Sequence, residues 1–399
     1  MIPGLITIGA VVIGWALLAR PLDRWRVSLP MLLVVAGTIY GVATDHPLVD
    51  SFNGHTAQQF TEIVLAMLLF VDATEVRGGL FGSHASASLR VLFIGLPLSI
   101  VAAVAVGAFL APSLSWAALL ALACTVMPTD FAPAPAMLRD RLIPERVRDV
   151  LAIESGYNDG IASPLIIFAL ALASTGHKSS DHNITQGLED AVPAAVIAVL
   201  VGAVVGLAVT TAVNRCAAAD SLSKNSIRLI VVVMPLVTYG LAVESHGNGF
   251  IAAFVCGLVY RHLRTTSNMA AEVELADDVG FILTAIMWFV FGGIVVYVAW
   301  LHLDWRLYIF ALLAITLLRA VPVELSLIGS GLNRREIAMV SWVGPRGTTS
   351  IVFGLLAFNS LDAGPGVDIL AVMGLVVAIS VLVHGWGASM LISRHSQER

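Results

Sequence analysis

Met127-Pro128-Thr129-Asp130-Phe131-Ala132-Pro133-Ala134-Pro135 lies inside an otherwise apolar run, residues 114–138. The run is long enough to cross the ~30 Å hydrocarbon core of a bilayer, yet no regular helix can pass through it. A proline lacks a backbone N–H, and its ring clashes with the preceding turn. Three prolines within eight residues therefore interrupt the helix. A backbone break at membrane depth is tolerated only where it lines a cavity or is enclosed by protein. Asp130 sits inside this break. An ionisable group at such depth is costly and marks function.

The rest of the chain fits a membrane setting. Of its 399 residues 58% are apolar and 12% are charged, against about 25% charged in soluble domains. The mean hydropathy is +0.89. Apolar segments bounded by Pro, Gly and charge clusters fall at about 2–19, 27–43, 57–74, 89–111, 114–138, 146–174, 190–214, 226–243, 247–263, 276–300, 305–328, 335–358 and 367–392. They predict an all-α polytopic membrane protein of thirteen transmembrane helices, with 1–399 as a single membrane domain. The tail after about residue 393 is too short for a cytoplasmic regulatory domain. Residues 2–19 lack a preceding basic flank and end at Arg20-Pro21, so they read as a first span rather than a cleaved signal. Cys124, Cys216 and Cys256 have no metal-ligand spacing and read as small buried hydrophobes.

Lysine and arginine placement orients these spans. When loops alternate between sides, one side collects Arg20, Arg24, Arg26, Arg77, Arg90, Arg139, Arg141, Arg146, Arg148, Arg215, Lys224, Arg228, Arg261, Arg264, Arg334, Arg335, Arg394 and Arg399. The other side has Lys178 and Arg306, and Arg319 and Arg346 remain within spans. Cytoplasmic loops carry the excess of positive charge. The C-terminus is then cytoplasmic and the N-terminus outside, in a cell (inner) membrane.

A shift of about 216 residues superposes the first six spans on the last six. The shift is seven helices, an odd number, so the copies have opposite orientation. Inverted repeats of this kind belong to secondary transporters. Repeat one runs over about 2–174 and repeat two over about 226–392, with a linking helix at about 190–214. Span 335–358 carries Gly344-Pro345-Arg346-Gly347-Thr348-Thr349 at the place matching the first break. Paired interruptions in the two halves point to an ion or substrate site near the midplane.

The deep ionisable residues are Asp72, Asp130, Glu154, Asp159, Arg319 and Arg346, with Glu324 nearer a helix end. On a helix with about 100° per residue, Glu154, Asn158, Ser155 and Asp159 lie at about 0°, 40°, 100° and 140°. Ser155 and Asp159 are one turn apart and can address one point. A hard monovalent cation takes oxygen ligands. Asp159 and Ser155 supply two, and Asp130, the Thr129 hydroxyl and carbonyls freed by the break supply others. Arg319 keeps its charge at any depth and needs a buried acid, for which Glu154 is the best placed. Arg346 either offsets the carbonyl end of a half-helix or balances Asp130. Asp72 is either a peripheral member of the site or a carboxylate snorkelling at a helix end. His384 reads as a packed core residue. The Asn183-Ile184-Thr185 sequon falls in an outward loop.

Glu154-Ser155-x-x-Asn158-Asp159-Gly160, preceded by Thr129-Asp130 in a Pro-rich span, resembles the NhaP/NHE-type branch of the monovalent cation:proton antiporters. Leu69-Phe70-Val71-Asp72-Ala73 is similar to the acidic third-helix motif of that family. His246-Gly247-x-Gly249-Phe250-x-Ala252-x-Phe254-x-x-Gly257 is similar to its Gly-rich motif, and Gly344-Pro345-Arg346-Gly347 to its Arg-Gly motif. The resemblance covers nearly the whole chain. It implies a thirteen-helix fold, a homodimer, and a six-helix core with two broken, crossed helices. It implies that Asp159, Asp130, Ser155 and Thr129 bind the ion, that Asn158 holds the site by hydrogen bonding, and that Glu154–Arg319 is the ion pair of the core. Asn158 stands where electrogenic relatives carry a second Asp, which implies one proton per cation. Tyr157 departs from the aliphatic or small residue often found there, and Phe131-Ala132-Pro133 from the commoner Pro-Val-Ala.

The expected function is sodium- or potassium/proton antiport, with cation and proton competing for Asp159. The partners are then a monovalent cation, a proton and the lipid membrane, with no nucleic acid and no cofactor beyond the transported Na+ or K+ and H+. A passive cation channel would carry a short filter or rings of charge, and the sequence has neither. An organic-anion transporter on a similar scaffold would favour basic groups at its centre, where acids dominate here. No zinc, Ser-His-Asp or P-loop pattern suggests an enzyme.

Overall fold

The computed structural model describes residues 2–25, 27–44, 54–75, 84–134, 136–140, 142–174, 182–301 and 303–384. Regular structure among them is helical throughout. The principal helices, in chain order, are α1 (Ile2–Leu17), α2 (Leu29–Thr44), α3 (His55–Glu75), α4 (Ala85–Leu110), α5 (Trp116–Val126), α6 (Glu145–Ser174), α7 (His182–Ala218), α8 (Lys224–Glu244), α9 (Gly249–Leu263), α10 (Met269–Trp300), α11 (Trp305–Ile315), α12 (Leu317–Ser326), α13 (Arg334–Trp342), α14 (Thr348–Ser360) and α15 (Ala363–Leu382). Eight described helices are long and apolar enough to cross a membrane, α11 and α12 together forming one of them. Five shorter apolar helices are α1, α2, α5, α9 and α14. The chain is thus an all-helical, polytopic membrane protein.

Apolar residues lie outside as well as inside. Val192, Val196, Leu200, Val204 and Leu207 of α7 are exposed, as are Leu5, Ile6 and Ile13 of α1. A lipid solvent accepts such a surface, so burial of apolar area cannot be what holds these helices together. Close backbone approach takes its place. A Cβ on Gly37 of α2 would collide with the Phe289 carbonyl of α10, and a Cβ on Gly292 would collide with the Val34 carbonyl in return. Thr38 Oγ1 donates to the Gly292 carbonyl at 3.2 Å across the same seam. A Cβ on Gly202 of α7 would strike the Ala252 carbonyl of α9, and one on Gly257 of α9 would lie 2.6 Å from the Phe70 carbonyl of α3. The Gly-rich motif of the sequence is therefore a packing surface: Asn248 Oδ1 caps α9 by accepting from the Phe250 and Ile251 amides.

The segment 305–328, which reads as one span, is divided at Thr316, whose φ and ψ are −106° and −97°. Nothing local signals this break. Pro322, the evident breaker in the segment, is accommodated inside α12, while the interruption lies at a β-branched residue whose neighbourhood is set by other helices. Helix α4 contains a π turn at Val91–Gly95, also absent from the sequence reading. There the helix meets α12, with Ser326 Oγ 3.0 Å from where a Cβ on Gly95 would sit. Cys124 and Cys256 are buried as expected, but Cys216 is exposed; it lies near the end of α7, where the helix leaves its neighbours. His384 is buried against Ser380. Arg26, Arg77, Pro135, Arg141, Lys178, Arg394, Arg399 and the end of the segment 367–392 lie outside the described residues, as do the side chains of Arg24, Arg139 and Asn183.

Gly292→Val should lower the midpoint of thermal unfolding in detergent, since overpacking costs about 1–3 kcal/mol. Gly240→Ala, where a Cβ meets nothing within 4 Å, should not. Equal midpoints for the two variants would contradict the backbone-contact account of the α2–α10 seam.

Candidate ion site

The two backbone interruptions meet. Helix α5 begins at a Ser115 cap, where Oγ accepts from the Ala118 amide at 3.2 Å, and ends at Val126. Residues 127–134 are not helical. Helix α13 ends at Trp342, and 343–347 are likewise without helix before α14 begins. Asp130 links the two breaks. Its amide donates to the Pro345 carbonyl at 2.8 Å, and its Oδ2 accepts from the Thr348 amide at 2.6 Å. Its Oδ1 accepts from the Ala132 amide at 2.7 Å.

The first turn of a helix leaves amide donors without partners, and an acidic or hydroxyl side chain just before it usually accepts them. The residue before α14 is Gly347, which has no side chain to offer. Asp130 supplies the carboxylate from the other break, where it also meets the positive end of the α14 dipole. A Cβ on Gly347 would occupy the position of that carboxylate. Glycine is required at 347 by this approach.

Helix α6 brings its polar residues to the same place. Asn158 Nδ2 donates to the Thr129 carbonyl at 2.8 Å and to Thr129 Oγ1 at 2.9 Å. Asp159 Oδ2 accepts from Thr349 Oγ1 of α14 at 2.5 Å. Asp159 is 3% exposed and Asn158 1% exposed. Asp159 Oδ1 and Asn158 Oδ1 are enclosed without a hydrogen-bond partner among the described residues. Ser155, one turn earlier, is half-buried and forms no hydrogen bond to Asp159. Tyr157 packs edge-on against Phe254 at 5.7 Å, which gives the departure at 157 a packing role. Gly160 leaves room for that same ring, 2.7 Å from where a Cβ would sit.

Arg319 and Glu154 form a second buried centre. Arg319 Nη2 donates to both Glu154 oxygens at 2.8 and 2.9 Å, and the two side chains are 3% and 5% exposed. Nη1 donates to the Val340 and Ser341 carbonyls at the end of α13. A Cβ on Gly344 would lie 2.6 Å from the guanidinium carbon, so glycine admits the arginine. Of the two roles open to Arg346, the structure realises the one with carbonyls. Arg346 is fully buried and donates to the Gly344 carbonyl at 3.2 Å and the Ala314 carbonyl at 3.3 Å. The second of these is freed by the break at Thr316. The Arg346 amide donates to Ser380 Oγ at 2.7 Å. Asp72 is half-buried in α3, and Glu324 is exposed on α12.

Thr129, Asp130, Asn158 and Asp159 thus share one junction, and Glu154 and Arg319 a neighbouring one. Thr349 is the residue that the sequence reading missed. Its signal was a hydroxyl in the second break; what could not be read was which carboxylate it reaches. The junction presents oxygen atoms, the enclosed Asp159 and the half-buried Asp130, a donor set suited to a small hard cation or a proton.

An all-helical membrane protein whose two broken helices meet over an enclosed carboxylate is a defined class of architecture. The chain belongs to the family described as "Sodium/hydrogen exchanger, transmembrane", which matches residues 7–394. The K(+)/H(+) antiporter NhaP2 of Shewanella oneidensis is 26% identical over 393 residues, covering 95% of this chain and 64% of that protein. The chain therefore spans about two thirds of that relative's length. A Na(+)/H(+) antiporter of Schizosaccharomyces pombe is 22% identical over 405 residues, covering 90% of this chain and 83% of its own. Among solved structures, the sodium proton antiporter MjNhaP1 of Methanocaldococcus jannaschii has the same fold, with a TM-score of 0.75, 18% identity and 98% of each chain covered.

Removing either partner of a buried ion pair strands the other charge at a cost of about 3–5 kcal/mol. Glu154→Ala and Arg319→Ala should each lower the unfolding midpoint sharply, and the double variant should lose less than the two losses combined. Strictly additive losses would show that the pair does not act as a unit.

Proposed function

We propose that the chain is a secondary active antiporter that exchanges a monovalent cation, sodium or potassium, for a proton across a cell (inner) membrane. The observation that carries this reading is the state of Asp159. One carboxylate oxygen is held by Thr349, while the other is enclosed without a hydrogen-bond partner among the described residues, as is the Oδ1 of the adjacent Asn158. Membership of the exchanger family supports it, as do the names of the relatives, which include both potassium and sodium antiporters.

In this mechanism Asp159, Asp130, Ser155 and Thr129 bind the ion. Asp159 takes either a cation or a proton. Each form is neutral enough to move with the core, whereas an empty carboxylate is costly to bury. Competition for one group couples the two fluxes. Asn158 adds no second charge at the site, so the exchange is electroneutral, one proton for one cation. Asp130 has both oxygens on backbone amides and serves the site while capping α14. Asp72 is a supporting residue at the periphery. Glu154–Arg319 and Arg346 hold the second break in shape.

The eight long helices and five shorter apolar ones support a count of thirteen spans. The pairing of a break near 130 with one near 345 supports two inverted six-helix repeats, with the transport domain extending over 1–399 and a linking helix at about 190–214. The arginine-rich loops support a cytoplasmic C-terminus and an outside N-terminus. The family resemblance supports a homodimer. Alternating access then arises from movement of the core against the interface helices.

In proteoliposomes, Asp159→Asn should abolish sodium- or potassium-driven proton flux while leaving the unfolding midpoint near that of the wild type. Retained flux would overturn the assignment. Because protons displace the cation at low pH and proton delivery limits exchange at high pH, the rate should follow a bell-shaped pH profile. An imposed membrane potential should leave the rate unchanged; a potential-dependent rate would exclude one-for-one exchange.

A further inference from the structure

We infer that Thr349 is a positioning residue for the exchange: its hydroxyl, presented by the second broken helix, holds Asp159 Oδ2 so that Oδ1 alone is offered to the cation. The inference rests on Asp159 being the exchange group.

Threonine in a membrane helix commonly turns its hydroxyl back on the carbonyl four residues earlier. This chain follows that habit repeatedly. Thr38 donates to Val34, Thr61 to Ala57, Thr125 to Ala121, Thr238 to Met234 and Thr316 to Leu312, at 2.7–2.8 Å. For Thr349 the residue four earlier is Pro345, which lies outside the helix. The Pro345 carbonyl already accepts from the Asp130 amide. Thr349 therefore has no preceding helical turn to bond back to, and its hydroxyl reaches across to Asp159 at 2.5 Å.

The orientation of that hydroxyl is over-determined. Thr349 stands in the first turn of α14, directly after Thr348, whose amide is fixed on Asp130 Oδ2. A threonine in a helix divides mainly between two rotamers, one of which turns the hydroxyl back on the preceding turn, and that turn is absent here. Asn158, the neighbouring side-chain donor, is committed to Thr129 through two hydrogen bonds of its Nδ2. The donor on Asp159 is then the Thr349 hydroxyl, and Asp159 Oδ1 is without one among the described residues. A hydrogen bond to a carboxylate constrains its rotation and partly offsets its charge without occupying the second oxygen. The two broken helices are in this way coupled to the exchange carboxylate through three successive contacts: Asp130 to Pro345, Asp130 to Thr348, and Thr349 to Asp159.

The test is cation-driven proton flux in proteoliposomes of wild type, Asp159→Asn, Thr349→Val, Thr349→Ala and Thr349→Ser, with sodium and potassium each titrated and thermal unfolding measured in parallel. Thr349→Val removes the hydroxyl at nearly constant shape. It should raise the apparent KM for the cation about tenfold or more, as expected for loss of a hydrogen bond to a charged group, with kcat changed less than threefold. Thr349→Ala should do the same should the valine variant fail to fold. Thr349→Ser keeps the donor and should restore KM to within about threefold of wild type. A wild-type KM in the valine or alanine variant would overturn the inference. So would a serine variant as impaired as valine, or a loss confined to kcat. Absent exchange in the wild type, or retained exchange in Asp159→Asn, would instead overturn the antiport reading itself, so the two failures are distinguishable.

Discussion

Backbone polar groups inside a bilayer have no water to bond, and this chain leaves two stretches of backbone outside any helix at that depth. Each stretch satisfies the other. The Asp130 amide serves the Pro345 carbonyl, and the Asp130 carboxylate serves the first amide of α14. This reciprocal capping explains several residue choices at once. Asp130 must be acidic to meet a helix N-terminus. Gly347 must lack a side chain because the carboxylate occupies that space. Pro345 contributes a carbonyl and removes a donor that would have needed a partner.

The arginines extend the same logic to the remaining carbonyls. Helix α13 ends with carbonyls to which Arg319 donates, and α11 ends with one to which Arg346 donates. Arg319 is itself balanced by Glu154 from α6. Helix α6 therefore contributes on two levels. At Glu154 it neutralises the cation that supports the second break. One turn further on, at Asn158 and Asp159, it touches the first break through Thr129 and the second through Thr349. The polar residues of one helix are divided between holding the scaffold and offering a carboxylate. A site built in this manner is rigid in its supports and free at one oxygen, an arrangement suited to a group that exchanges small ligands.

Much of this was legible along the chain, because membrane solvent imposes rules on sequence. Apolar runs of about twenty residues, a strong arginine asymmetry, and prolines with an acid at mid-span follow from the cost of burying polar groups. The pairing of Arg319 with Glu154 could be anticipated for the same reason: a guanidinium cannot discharge itself. Asp130, Thr129, Asn158 and Asp159 were recognisable as residues whose placement in an apolar run has no structural economy of its own. The role of Arg346 was left between two alternatives, and one of its carbonyl partners, Ala314, depended on a break at Thr316 that no local signal announced.

The sequence by itself determined that the chain is helical and membrane-embedded, with breaks near 130 and 345, since these follow from local composition and the absence of water. Only the tertiary structure decided who meets whom. Thr349 lies 190 positions from Asp159, and its hydroxyl reaches that carboxylate because the second break leaves it no preceding helical turn to bond back to. Ser155, correctly spaced on the same helix as Asp159, is left without that bond. Helical periodicity fixes which residues share a face; the meeting of two separate breaks fixes which donor arrives there.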